Sequence, residues 1–170
     1  MAGRRPLSFD PIAEAARQWD AHGWSEATPG MAAVTSVFRA QQLFLARIDE
    51  VLRPMGLTFA RYEMLRLLGF SRRGELPLGK IGDRLQVHPS SITNAADRLE
   101  QSGLLERRRH PDDARTVLAV ITPAGRARCD RATDALNEWV FTDLGIDREA
   151  LVSLFDTITE LRRAAGDLAS

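Results

Sequence analysis

The sequence predicts a mainly α chain carrying one small β-hairpin, on three observations. Apolar residues recur at spacings of three and four through most of the 170 residues. Capping residues and prolines stand where those runs begin, at Asp10–Pro11, Thr58, Pro89, Thr122–Pro123 and Asp147. One stretch breaks the helical rhythm: LLERRR and RTVLAVI are extended runs around a polar tip, HPDDA.

Each element follows in order. Residues 1–9 read as a loose arm. Asp10 caps a helix over about 11–22, with Ile12, Ala15, Ala16 and Trp19 on one side. GWSEATPG is a turn-rich linker. A long helix over about 30–54 carries the stripe Val34, Val37, Phe38, Gln41, Leu45, Ile48, Leu52 and Met55. Leu43, Phe44 and Val51 widen its apolar face, so it needs neighbours on more than one side. Pro54 and Gly56 end it. Thr58 caps a helix over about 59–70, with Phe59, Tyr62, Leu65 and Leu68 inward. Leu76–Pro77 leads into a short helix over about 78–86, and Pro89 opens another that runs to about Ser102 and stops at Gly103. After the hairpin, Thr122–Pro123 starts a helix to about Leu144, and Asp147 caps a last one to about Leu168.

Composition narrows the function. With 23 basic and 23 acidic groups and 44% hydrophobic residues, the chain has the balance of an ordinary globular domain. No run of about 18 apolar residues offers a membrane span, and MAGRRPLSFD has no apolar stretch of a secretory signal. A single cysteine, Cys129, excludes a disulfide framework and a cysteine-rich zinc site, and points to the cytoplasm. The zero net charge is unevenly spread. Residues 58–115 hold 11 basic and 8 acidic groups, whereas residues 116–170 hold 6 and 9. A basic middle suits a polyanionic partner.

Three helices followed by a hairpin is the winged helix-turn-helix layout, whose second turn-motif helix enters the DNA major groove. In the helix opened by Pro89, Ile92, Ala95, Ala96 and Leu99 form a packing face. The other side presents Ser90, Ser91, Thr93, Asn94, Asp97, Arg98 and Gln101, a row short enough to approach base edges. A solvated polar face is the other reading. Pro89 is expected to leave the first amides free for a phosphate. Arg107, Arg108, Arg109, His110 and Arg115 charge the hairpin. An arginine at such a tip fits the narrow minor groove, and Asp112 or Asp113 is expected to pair with Arg115 or Arg98. A charged hairpin guarding a sheet edge is the alternative.

The run from Leu57 to Gly125 resembles the MarR family of bacterial transcription regulators. The resemblance rests on Asp113-Ala-Arg115-Thr116, the alternating apolar residues after it, Ile121-Thr122-Pro-Ala-Gly125, and HPSSITNAADRLEQSGLLERR upstream. It implies a winged helix-turn-helix domain flanked by long dimerisation helices. Its parts are an arm (1–9), an extra helix and first dimerisation helix (10–56), the winged region (57–122) and C-terminal dimerisation helices (123–170). It implies a homodimer on a near-palindromic double-stranded operator, acting as a repressor. Ser90, Ser91, Thr93, Asn94 and Arg98 would enter the major groove and Arg115 the minor groove. His110, Arg109 and Lys80 would lie near the backbone.

The family commonly binds a small aromatic or phenolic anion between the dimer helices and the winged domain, which weakens DNA affinity. The extra helix with Trp19 is similar to that of the urate-responsive branch. That branch's ligand positions fall here on Trp19, Glu63, Ala95 and Arg107, so a glutamate replaces an aspartate and an arginine is missing. Trp19, Tyr62, Glu63 and Arg107 are the effector candidates; packing of the extra helix is the other task open to Trp19.

Catalysis finds no support. Gly74–Lys80 (GELPLGK) has the spacing of a phosphate-binding loop, but Ile81 stands where Mg²⁺ needs Ser or Thr. His22, His88 and His110 are too scattered for a zinc centre. Cys129 reads as a small packing residue. Neither enzyme activity nor a cofactor is expected. The rival reading is a dimeric ligand-binding or protein-interaction module that keeps the fold without specific DNA binding.

Overall fold

Caps and breakers mark most of the observed element ends. A computed structural model describes residues 7–168, so part of the expected arm lies outside the described residues. Helix α1 (Pro11–Ala21) starts where the Asp10 carboxylate accepts the Ile12 amide at 2.8 Å. Helix α2 (Thr28–Leu52) runs into a 3₁₀ turn, Arg53–Met55, and stops at Gly56, whose φ of 70° is left-handed. Helix α3 (Phe59–Phe70) is capped by Thr58. Strand β1 (Glu75–Pro77) passes directly into α4 (Leu78–Leu85), followed by α5 (Pro89–Gln101). The wing is β2 (Leu105–His110) and β3 (Asp113–Ile121). Helix α6 (Pro123–Leu136) and helix α7 (Arg148–Ala164) complete the chain, capped by Thr122 and Asp147.

Two elements differ from the sequence expectation. The wing is a three-stranded antiparallel sheet in the order β1-β3-β2, with Glu75 opposite Val120 and Pro77 opposite Leu118. Three residues are too few to display a two-residue alternation, and a proline is tolerated because β1 is an edge strand. GELPLGK therefore builds a strand and the first turn of a helix rather than a loop around a phosphate. The helix expected to reach Leu144 ends its α-geometry at Leu136 and widens into a π turn, Asn137–Phe141, with Thr142 N–H donating to the Asn137 carbonyl at 3.0 Å. Apolar spacing alone cannot separate one π turn from an α turn.

The core gathers the end of α2, then α3, α4, α5, the wing base and α6. Leu52, Met64, Leu65, Leu68, Ile81, Leu99, Leu105 and Leu136 are fully buried there. Each such side chain contributes about 1.5–3 kcal/mol. Cys129 is buried among them, and burial pushes its thiol pKa up. The flanks are different. Val34, Val37, Phe38, Leu43, Phe44 and Leu45 of α2 are exposed, as are Val152, Leu154, Phe155 and Leu161 of α7. No helix among the described residues is long and apolar enough to cross a membrane.

Gly125 sets how α6 leaves the wing. A Cβ there would sit 2.0 Å from the Leu104 carbonyl oxygen and 3.1 Å from Ile121. The contact is with backbone, so no rotamer change relieves it. Gly125→Ala is expected to destabilise the fold by about 2–4 kcal/mol, measured as a lowered urea midpoint. An unchanged midpoint would mean that α6 shifts freely away from Leu104.

Candidate nucleic-acid interface

Helix α5 is seated by Ile92, Ala96 and Leu99, which are 4%, 0% and 1% exposed. A helix anchored on one side displays the other, and Ser90, Ser91, Thr93, Asn94 and Arg98 are all exposed. Ser90, Ser91, Asn94 and Arg98 line one open concavity of about 750 Å³, together with Thr58, Ala60 and Arg61 from the start of α3. Thr93 turns to the neighbouring groove beside Gly79, Gly82 and Asp83, and its hydroxyl donates to the Pro89 carbonyl at 3.1 Å. Lys80 is exposed on the first turn of α4.

Sequence reasoning missed Arg61. Its Nε donates to Thr58 Oγ1 at 3.1 Å, which holds a cation at the rim of the α5 concavity. Thr58 was legible as a cap. That its helix start faces α5 depends on packing, and no spacing reports it.

The first amides of α5 are not free. His88 caps the helix: its Nδ1 accepts the Ser90 amide at 3.3 Å and lies 2.7 Å from the Ser90 hydroxyl. The Ser91 amide donates to the His88 carbonyl at 2.9 Å. The expected phosphate seat on those amides is thus filled by the chain itself.

The wing is tied to α5 by Arg107. Its Nη2 reaches Asp97 Oδ1 at 2.5 Å and the Thr93 carbonyl at 3.2 Å, and Nη1 lies 3.7 Å from Glu100. The Arg107 amide also donates to Glu100 Oε1 at 3.1 Å. The strand arginine therefore clasps the recognition helix from below. Arg108 pairs with Glu106 at 2.8 Å; Arg109 and Arg115 are exposed, and His110 is half-buried. The β2–β3 register slips between Arg109 and His110, so His110 faces Asp113.

Asp113 does not pair with the Arg115 or Arg98 guanidinium. Its carboxylate accepts the Thr116 hydroxyl at 2.6 Å and the Arg115 amide at 3.0 Å, closing the wing turn and leaving the Arg115 side chain outward. His110 Nδ1 accepts the Asp112 amide at 3.2 Å, a second internal bond of the same tip.

Trp19, Tyr62 and Arg107 have structural partners within the chain. Trp19 meets Trp24 edge to face, with ring centroids 5.4 Å apart. Tyr62 is a core residue whose hydroxyl lies 3.1 Å from Thr133 Oγ1. Glu63 is half-buried, and burial raises its carboxyl pKa. A separate apolar cavity of about 570 Å³ lies between α2, α3, the π turn and α7, bounded by Phe44, Leu45, Ile48, Phe59, Val140 and Leu154. None of Trp19, Tyr62, Glu63 and Arg107 lines it.

The wing-tip bonds fix a pH response. The Thr116 hydroxyl, then the Arg115 amide, hold the Asp113 carboxyl below the ordinary aspartate value of 3.8. A lowered folded value means the carboxylate closes the turn at every pH above 3.8 and releases it as pH falls through the lowered value. Thr116→Val is expected to move the Asp113 midpoint up toward 3.8, read by NMR titration of the side-chain carboxyl. A midpoint that stays put would show that the hydroxyl bond is absent in solution.

This geometry matches known proteins. The model of the MarR family matches residues 57–117. Sco5413, a MarR family transcriptional regulator from Streptomyces coelicolor, is similar in structure at a TM-score of 0.76 and 48% identity, over 84% of this chain and 99% of that one. Sco3205 from the same organism, a MarR family transcriptional regulator solved in complex with DNA, superposes at a TM-score of 0.70 with 26% identity, over 81% and 90%. Among curated relatives, the HTH-type transcriptional regulator MhqR of Bacillus subtilis is 34% identical over 87 residues, 51% of this chain and 59% of its own length. This chain thus spans about six tenths of that relative. With a 48% identical regulator matched over nearly its whole length and the wing and recognition helix in their places, this chain belongs to the MarR family of winged helix-turn-helix transcriptional regulators.

Proposed function

We propose that the protein works in the cytoplasm as a homodimeric repressor on a near-palindromic DNA operator, relieved by a small anionic or aromatic effector. The observation that carries DNA binding is the exposed row Ser90, Ser91, Asn94 and Arg98 around one concavity, rimmed by Arg61. Short polar side chains can exchange hydrogen bonds with base edges, and arginines can donate to base-edge acceptors and to phosphate oxygens. Thr93 and Lys80 serve the flanks of this helix. Arg115 at the closed wing tip reaches the minor groove, with Arg109 and His110 beside the backbone.

The uncovered faces of α2 and α7 support a dimer. An apolar surface of this kind on two long helices finds burial most simply against its own copy. In this division residues 10–56 and 123–170 hold the dimer together and residues 57–122 read DNA. We assign the effector's ring to the apolar cavity beside Phe44 and Phe59, whose size suits a small ligand. None of Trp19, Tyr62, Glu63 and Arg107 lines that cavity, so they act there only indirectly.

The test is a fluorescence-anisotropy titration against DNA from upstream of the protein's own gene, backed by random-sequence selection. Sequence-dependent binding should weaken with salt at a log–log slope of about −0.9 per phosphate neutralised. Binding no tighter than to scrambled DNA after selection overturns the reading.

Two variants refine it. Arg115→Ala is expected to lower operator affinity while sedimentation still reports a dimer; equal affinity removes the wing tip from the contact. Asn94→Ala should relax preference at one base position per half-site by about 1–3 kcal/mol. An unaltered profile across substituted operators would deny Asn94 a base contact.

A further inference from the structure

Among the described residues, Gln86 is the one non-glycine with a positive φ, 53°. It ends α4 and begins the turn into α5, two residues before the His88 cap. Left-handed backbone is costly for a residue with a Cβ, and the other positions of this kind are glycines, such as Gly56 and Gly103. A glutamine held there points to a side-chain task.

That side chain is engaged at both ends. Its Nε2 donates to Asp167 Oδ1 at 2.8 Å, and its Oε1 accepts from Arg162 Nη2 at 3.0 Å. Arg162 Nε in turn donates to Asp167 Oδ2 at 2.6 Å. Three side chains close a ring between the turn of the helix-turn-helix and the far end of α7. The local structure of α7 prepares it. Gly166, at φ 76°, reverses the chain, and the amides of Gly166 and Asp167 donate back to the Arg163 and Arg162 carbonyls. This helix stop brings Asp167 beside Arg162 before either meets Gln86.

A lone exposed ion pair contributes little. Here the pair is anchored to an amide that accepts and donates at once, and the residue bearing that amide is in a strained backbone state. The latch also joins two functional halves. Helix α7 carries Leu154, Phe155 and Leu161 uncovered, on the face proposed above to meet a second copy, while the turn at Gln86 leads into α5.

We infer that Gln86, Arg162 and Asp167 are positioning residues that tie the angle of the recognition helix to the dimerisation helix, and so set the spacing between half-sites that the protein accepts. The inference rests on the DNA-binding reading. None of the three need touch DNA, so a single half-site should not sense the latch.

The experiment uses the full chain and the operator selected by the wild-type protein, with one base pair inserted or removed between half-sites. Gln86→Asn keeps a residue that tolerates left-handed backbone but is one methylene too short to meet both partners. The wild type should lose about tenfold in affinity on changing the spacing, and Gln86→Asn about twofold, with equal affinity of both proteins for an isolated half-site. Asp167→Ala should behave like Gln86→Asn, and the double variant like either single one. The same spacing penalty in wild type and Gln86→Asn, or independent addition of the two effects, overturns the latch and leaves DNA binding standing. Absence of sequence-dependent binding by the wild type overturns both readings together.

Discussion

Helix α5 is held from two sides, and the functional surface depends on that grip. From within, Ile92, Ala96 and Leu99 sink into the core. From the wing, Arg107 bonds Asp97, Glu100 and the Thr93 carbonyl. The apolar contact fixes depth but is non-directional. The guanidinium adds direction, because its planar fork meets each acceptor from one angle only. A helix with both constraints cannot roll without breaking a part-buried ion pair. The polar row on its outer side is therefore preorganised, and little ordering remains to be done when a partner arrives.

The same logic divides the chain. The middle is finished: the core it shares with the end of α2, α6 and the π turn closes within one copy, from Ile48 to Val140. The flanks are not. Helix α7 has no buried residue in one chain, and the first half of α2 exposes valine and phenylalanine side chains. On the proposed reading, a chain that places its apolar residues in this way has a rigid reader at its centre and an adhesive frame around it. The frame contacts the reader chiefly where α2 and α6 pack on α3, and through the polar ring at Gln86.

Much of this was legible in the residues, and the illegible parts share a cause. Helix starts at Asp10, Thr58, Thr122 and Asp147 are local chemistry: a side-chain oxygen answers an amide two or three residues on, and sequence reports that directly. The packing face of α5 was equally clear from its spacing. Strand β1 was invisible because three residues show no alternation, and the π turn because its spacing mimics an α turn. His88 as a cap was missed because an imidazole seldom takes that place, which left the Ser90 amide seemingly free. Arg107 is an effector candidate only through the resemblance to the urate-responsive branch, and nothing in its local sequence announces the bonds it makes. Its acceptors Asp97 and Glu100 lie on a different element, and only the return of β2 beneath α5 brings them within reach. Asp113 erred in the other direction: a carboxylate near an arginine suggests an ion pair, yet it bonds the backbone of that residue and the next hydroxyl.

Charge placement completes the physical account. The chain is neutral as a whole, so no general attraction draws it to a polyanion. Its fields are local instead. Arg61 and Arg98 frame the α5 concavity, and Arg109 and Arg115 stand out on the wing. The outer face of α7 carries Glu149, Asp156 and Glu160 together with Arg148 and, one turn past Glu160, Arg163. On the proposed reading, a duplex approaching the wing meets attraction that the charge-balanced α7 side does not offer, so the molecule is turned before contact. Screening over about 8–10 Å at physiological salt keeps the field of the wing and the α5 concavity local. Neutrality then keeps binding to arbitrary DNA weak, and discrimination falls to the short polar side chains that the clasp of Arg107 holds in place.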